Sequence, residues 1–169
     1  EELRPEDSAV YEHGGMIVYR AYGESEEYPI LAVSDILLPG RHNVENYMAA
    51  IAAVRGWAGK EEISEVARTF AGVHHRLELV CEHGGVSYYN SSIDSSPTRT
   101  AAALGAMGDR PLVLICGGYD KHIPFAPLAD VILSHKNIRA LVLTGATAGA
   151  IRDALTAHPA FAASGLPVL

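Results

Sequence analysis

Past Gly84 the chain alternates between two hydrophobic patterns, and this alternation restricts the fold more than any other feature. PLVLIC and RALVLTG are almost unbroken apolar runs, and LPVL closes the chain. Between them, FAPLADVILSH and ATAGAIRDALTA place their apolar residues at helical spacing. Unbroken apolar strands joined by helices are the signature of a parallel sheet covered on both faces, because parallel neighbours need a long crossover. With VSYYN and the helix TRTAAALGAM ahead of them, the series reads β-α-β-α-β-α-β. This predicts an α/β fold with a doubly wound, mostly parallel sheet and right-handed crossovers. Ser96 and Pro97 suit the N-cap and first turn of TRTAAALGAM. RLELVCE and VSYYN flank HGG as a hairpin, with His74 and His75 expected to point to opposite faces of a strand.

Upstream the pattern differs. MIVYRAY and PILAVSD read as short strands around the acidic turn GESEEYP, and the glycine pair of EHGG predicts a tight hairpin. Val44, Tyr47, Met48 and Ile51 then fall at helical spacing through NVENYMAAIAAVRGWAG. A second helix follows Lys60, with Ile63, Val66, Ala67 and Phe70 on one face and Gly72 as its stop. The expected division is residues 1–71 and 72–169.

Composition narrows the function by exclusion. Twenty acidic against 13 basic residues leave a net charge of -7, which disfavours a nucleic-acid or anionic-membrane surface. Cys81 and Cys116 sit in apolar runs, not in a CxxC pair, so a reducing, cytoplasmic setting is expected. The acidic opening EELRPED is no signal peptide, and no run is long enough to span a membrane. The chain opens without Met and stops at LPVL, a strand cut short, so a piece of a longer protein is expected. The eight histidines show no metal-ligand spacing, so no metal site is expected. There is no GxxxxGK[ST] loop for phosphates.

Ligands of open parallel sheets bind beyond the carboxyl ends of the strands. Three polar loops leave those ends: NSSIDSSP, GGYDKHIP and TGATAG. Hydroxyls, the flexible backbone of Gly117 and Gly118, and the ammonium of Lys121 together suit a small anion. Each has a plainer reading as a helix cap, a turn or a surface charge. It is the convergence of the three loops that points to a site.

LPGRHNVENYMAAIAA, FAGVHHRLELV, GVSYYNSSIDSSPTRTAAAL and LVLICGGYDK, in that order, resemble the C-terminal half of the Mur ligase family. The resemblance spans roughly residues 30–160. HHRLE and GGYDK favour the members that add D-glutamate over those that add L-alanine, a diamino acid or a dipeptide. The resemblance implies that residues 1–71 are the C-terminal part of a central ATPase domain. It implies that residues 72–169 are a Rossmann-like amino-acid-binding domain, incomplete at its end. It further implies an ATP-dependent ligase of peptidoglycan synthesis, monomeric and cytoplasmic, with UDP-N-acetylmuramoyl-L-alanine, D-glutamate, ATP and Mg2+ as substrates and cofactors of the full-length enzyme. ATP would activate the substrate carboxylate as an acyl phosphate, and the D-glutamate amine would attack it.

By the same resemblance Asn43, Asn46, Arg76 and Ser91 lie at nucleotide-binding positions, while Ser95 and Lys121 hold the carboxylates of D-glutamate. His75, Asp94, Gly117 and Gly118 lie nearby. No catalytic residue falls in this stretch, and tight cofactor binding by it alone is not expected, because the phosphate loop and metal ligands of the family lie upstream. The family commonly reads NDSKATN where this chain has NSSIDSS. Ser91 thus replaces an aspartate and Ile93 a lysine, leaving Asp94 as a candidate substitute carboxylate. Other classes stay open: a different amino-acid ligase of the superfamily, such as a folylpolyglutamate synthetase, or a non-catalytic binding module.

Overall fold

A computed structural model describes residues 8–169, so the opening segment EELRPED lies outside the described residues. The chain divides between Val73 and His74 into two compact units.

The first unit begins with an antiparallel meander, β1 (Ala9–His13), β2 (Met16–Arg20) and β3 (Tyr28–Ala32), in that spatial order. Gly14 and Gly15, both at positive φ, make the two-residue hairpin that EHGG predicts. PILAVSD is strand only to Ala32, and Val33–Asp35 tightens into a 3-10 turn. Two helices follow, α1 (Arg41–Val54) and α2 (Lys60–Thr69). Val44 and Ile51 of α1 pack with Ile17, Leu31 and Ala67, and Tyr47 and Met48 lie against the same cluster. An Arg41–Glu12 ion pair links the start of α1 to β1, and Arg68 of α2 reaches Asp35 at 2.7 Å. The expected face of α2 is narrower than its apolar spacing suggested. Ile63 and Ala67 turn inward, whereas Val66 and Phe70 are exposed. The helix also ends at Thr69, short of Gly72.

The second unit opens with the hairpin β4 (Glu78–His83) and β5 (Val86–Asn90), which forms its own two-stranded sheet. Then come α3 (Pro97–Met107), β6 (Leu112–Gly117), α4 (Ala126–Ser134), β7 (Ile138–Thr144), α5 (Ala148–Ala157) and the short α6 (Phe161–Ser164). The sequence pattern did not reveal α6. Strands β6 and β7 pair in parallel, from Leu112 opposite Ile138 to Gly117 opposite Thr144. Residues 167–169 add a third parallel segment beside β7, through Leu141 N–H to Pro167 O and Leu169 N–H to Leu141 O, both 2.9 Å.

The core of this unit lies on one face of that sheet. Leu104 of α3, four residues of α4, and Ile151 and Leu155 of α5 bury against Ile138 and Leu141, with Leu112, Leu114, Cys116 and Leu143 alongside. The order β6, β7, 167–169 advances in one direction, so crossovers of one hand deliver α4 and α5 to the same side. The alternate residues of β6 face away, and Val113 and Ile115 are 59% and 67% exposed. Among the described residues PLVLIC is therefore covered on one face, not on both as its unbroken apolar run suggests. The serine-rich loop likewise leaves a strand that is not hydrogen-bonded to β6.

Truncation at the two faces should differ sharply. Leu141→Ala removes a fully buried side chain and is expected to lower the stability of the second unit by about 2–5 kcal/mol. Ile115→Ala should change it by about 0.5 kcal/mol or less in this chain. Urea denaturation of the two variants checks the ranking, and equal losses would contradict the one-sided core.

Candidate functional site

The carboxyl ends of β6 and β7 meet through their backbones. Gly117 lies so close to β7 that an added Cβ would fall on the Thr144 carbonyl oxygen. Gly118 N–H donates to that same oxygen at 3.0 Å, and the Thr147 N–H donates to Gly118 O at 3.2 Å. Gly145 closes the gap from the other side, since a Cβ there would stand 2.7 Å from the Gly118 Cα. Gly117 is thus required by the close approach of β7, whereas a Cβ on Gly118 would meet open space and only its φ of 126° favours glycine. That is a structural reason for both residues, independent of any ligand.

Beyond Gly118 the chain turns outward. His122 N–H donates to Asp120 Oδ1 at 2.7 Å, and Phe125 returns the chain to the core. Asp120 is therefore engaged by the backbone, and the exposed Lys121 makes no hydrogen bond or ion pair among the described residues. A free ammonium at the carboxyl end of a parallel strand is available to an anion. Lys136 stands at the other end of the sheet, just before β7, and donates to Leu133 O at 3.0 Å. Cys116 sits beside Gly117, but burial pushes its thiol up to about 11, so it stays protonated at neutral pH.

The serine loop is organised around its own hairpin. Ser91 Oγ donates to Asp94 Oδ2 at 2.7 Å and accepts the Leu77 N–H at 3.1 Å. Ser96 caps α3 as expected, accepting the Arg99 N–H at 3.4 Å, with Pro97 in the first turn. Ser95 is exposed and forms no such bond among the described residues. Among the described residues no hydrogen bond or ion pair joins this loop to Gly117–Lys121. The structure thus brings together two of the three loops, and the third remains a separate cluster.

His74 and His75 lie in a turn ahead of β4, not on a strand, and His75 adopts a positive φ of 66°. Both engage Glu78: His74 Nδ1 lies 2.8 Å from Oε1, and the His75 N–H donates to Oε2 at 2.8 Å. Asn90 Nδ2 lies 2.8 Å from His75 Nδ1. Arg76 is exposed and unpaired among the described residues. In the first unit, Asn43 and Asn46 occupy the first two turns of α1. Asn43 Nδ2 donates to Pro39 O at 2.8 Å and Asn46 Nδ2 to Asn43 Oδ1 at 3.4 Å. The sequence drew attention to the TGATAG loop but missed its key residue, Thr147, which is only 4% exposed.

The architecture is that of the Mur ligases. A UDP-N-acetylmuramate–alanine ligase from Thermotoga maritima shares the fold over 91% of this chain and 34% of its own, at TM-score 0.62 and 15% identity. A murein peptide ligase from Psychrobacter arcticus does so over 92% and 34%, at TM-score 0.55 and 18% identity. Sequence relatives are nearer. A UDP-N-acetylmuramoylalanine–D-glutamate ligase of Clostridium novyi is 55% identical over 125 residues, 74% of this chain and 27% of that protein. The ligases of the same name from Acetivibrio thermocellus and Ruminiclostridium cellulolyticum are 50% and 45% identical, over 83% and 88% of this chain. The chain belongs to the Mur ligase family. It spans 27–30% of the length of these relatives. No protein-family model matches it.

The Glu78 cluster has a pH signature. The His75 N–H, and after it His74, hold the Glu78 carboxyl below its ordinary value. A depressed carboxylate contributes its stabilisation above the unfolded value and loses it as pH falls through the folded one. The side-chain carboxyl of Glu78, followed by 13C NMR, should therefore titrate with a midpoint below the ordinary glutamate value of about 4.3. A midpoint at or above that value would show that the turn is not held this way.

Proposed function

We propose that the full-length protein carrying this chain joins D-glutamate to UDP-N-acetylmuramoyl-L-alanine in an ATP-dependent reaction of peptidoglycan precursor synthesis. The observation that carries this reading is the identity of 45–55% to ligases of that name. In this reading residues 1–71 form the end of the central ATPase domain and residues 72–169 most of the amino-acid domain. The protein works as a cytoplasmic monomer without nucleic-acid or membrane partners. The net charge of -7 disfavours nucleic-acid and anionic-membrane surfaces.

Lys121 holds a carboxylate of D-glutamate, with Ser95 as a second, neutral donor. Asn43 and Asn46 in the first unit, and Arg76 and Ser91 in the second, are nucleotide-binding positions of the family, with Asp94 as the carboxylate beside Ser91. The Ser91–Asp94 hydrogen bond supports Asp94 as the substitute for the family aspartate. His75, Gly117 and Gly118 shape the surrounding backbone. ATP supplies the activated carboxyl group. Magnesium ions offset the phosphate charge in this reading, and the residues named here take no part in holding them. The contribution of these residues is positioning: an amine held at attack distance replaces a bimolecular encounter, an effect worth roughly 7–11 kcal/mol in well-aligned cases.

In the full-length enzyme, Lys121→Ala should lower kcat/KM for D-glutamate about ten- to a hundredfold, mainly through KM, since a charge-assisted hydrogen bond is lost. Lys136→Ala, at the opposite end of the sheet, should leave it unchanged. Steady-state kinetics with varied D-glutamate decide the matter, and equal behaviour of the two variants would remove Lys121 from the site.

A further inference from the structure

Thr147 immediately precedes α5, and its backbone (φ -92°, ψ -2°) is already helical rather than in the extended conformation from which a threonine caps its own helix. Its side chain makes no such cap. The hydroxyl instead donates to the carbonyl of Gly118 at 3.4 Å, beside the Thr147 N–H, which donates to the same oxygen at 3.2 Å. Thr147 is 4% exposed, and its own carbonyl accepts the Ile151 N–H at 3.0 Å, which fastens it to the buried face of α5.

Gly118 is consequently held on both sides. Its N–H is taken by Thr144 O and its carbonyl by Thr147, while Gly145 carries no Cβ that would collide with the Gly118 Cα. Lys121 lies three residues further on, in a loop fixed again only at Phe125. The Thr147 hydroxyl, free of its own helix, thus ties the neighbouring loop to the start of α5.

We propose that Thr147 is a positioning residue for amino-acid binding, which sets the place of Lys121 by clamping the Gly118 carbonyl to the start of α5. The inference rests on the reading that Lys121 holds a carboxylate of D-glutamate. It adds a residue that never touches the substrate but determines where the ammonium stands, and an error of about 1 Å in such placement can cost a hundredfold in rate.

The test is kinetic, in the full-length enzyme. Thr147→Val keeps the buried volume and the backbone N–H and removes only the hydroxyl. It should raise KM for D-glutamate about two- to tenfold, the range for one neutral hydrogen bond. KM for ATP and for the UDP-linked substrate should be unchanged, and Thr147→Ser should restore the wild-type value. In a Lys121→Ala background the Thr147→Val effect should vanish, because the group being positioned is gone. The inference is overturned if Thr147→Val matches wild type, if all three KM values rise together, if Thr147→Ser fails to rescue, or if the effect persists without Lys121. If the wild-type protein forms no amide with D-glutamate, the functional reading falls first, and this inference falls with it.

Discussion

Two strands that run in parallel cannot be joined by a tight turn, and in the second unit that requirement organises everything around the candidate site. Each connection from β6 onward must climb back over the sheet as a helix, so the loops that leave β6 and β7 both emerge at the carboxyl end. There the backbones are forced together. Gly117 and Gly145 permit an approach that a side chain would block, Gly118 takes a positive φ between them, and Thr147 fixes the result with a main-chain and a side-chain bond to one carbonyl. The same pairing directs α4 and α5 to one face and builds the core from Leu128, Ile132, Leu141 and Leu155.

The electrostatics follow from that framework. Several carboxylates elsewhere are paired locally: Glu78 with the His74–His75 turn, Asp35 with Arg68, and Glu27 with His13 and Tyr11 at 2.7 and 2.6 Å. Lys121 has no such partner among the described residues, because Asp120 beside it accepts from the His122 backbone. An exposed lysine costs little to leave unpaired. Three residues beyond the anchored Gly118, it leaves a positive charge available to a small carboxylate.

Much of this was legible in the sequence. Continuous apolar runs gave β6 and β7, helical spacing gave the inward residues of α1, and Ser96–Pro97 marked the start of α3. What was not legible depended on partners far along the chain. An unbroken apolar run does not say how many of its faces are covered, and Val113 and Ile115 show that among the described residues one is not. Val66 and Phe70 share the apolar spacing of Ile63 and Ala67, but the narrow contact of α2 leaves them outside. The His74–His75 turn escaped notice because a positive φ at histidine has no sequence marker. Gly117 and Gly118 were correctly placed at the strand end, although the close neighbour proved to be Thr144 and Thr147.

The central claim is that this region serves a ligase that selects D-glutamate. The direct measurement is amide formation by the full-length protein with UDP-N-acetylmuramoyl-L-alanine and ATP, across a panel of D-glutamate, L-glutamate, L-alanine and a diamino acid, with a folate acceptor plus L-glutamate as a separate arm. The account predicts product with D-glutamate alone; ligation of L-alanine or the diamino acid in its place, or glutamate added to the folate acceptor, would contradict it.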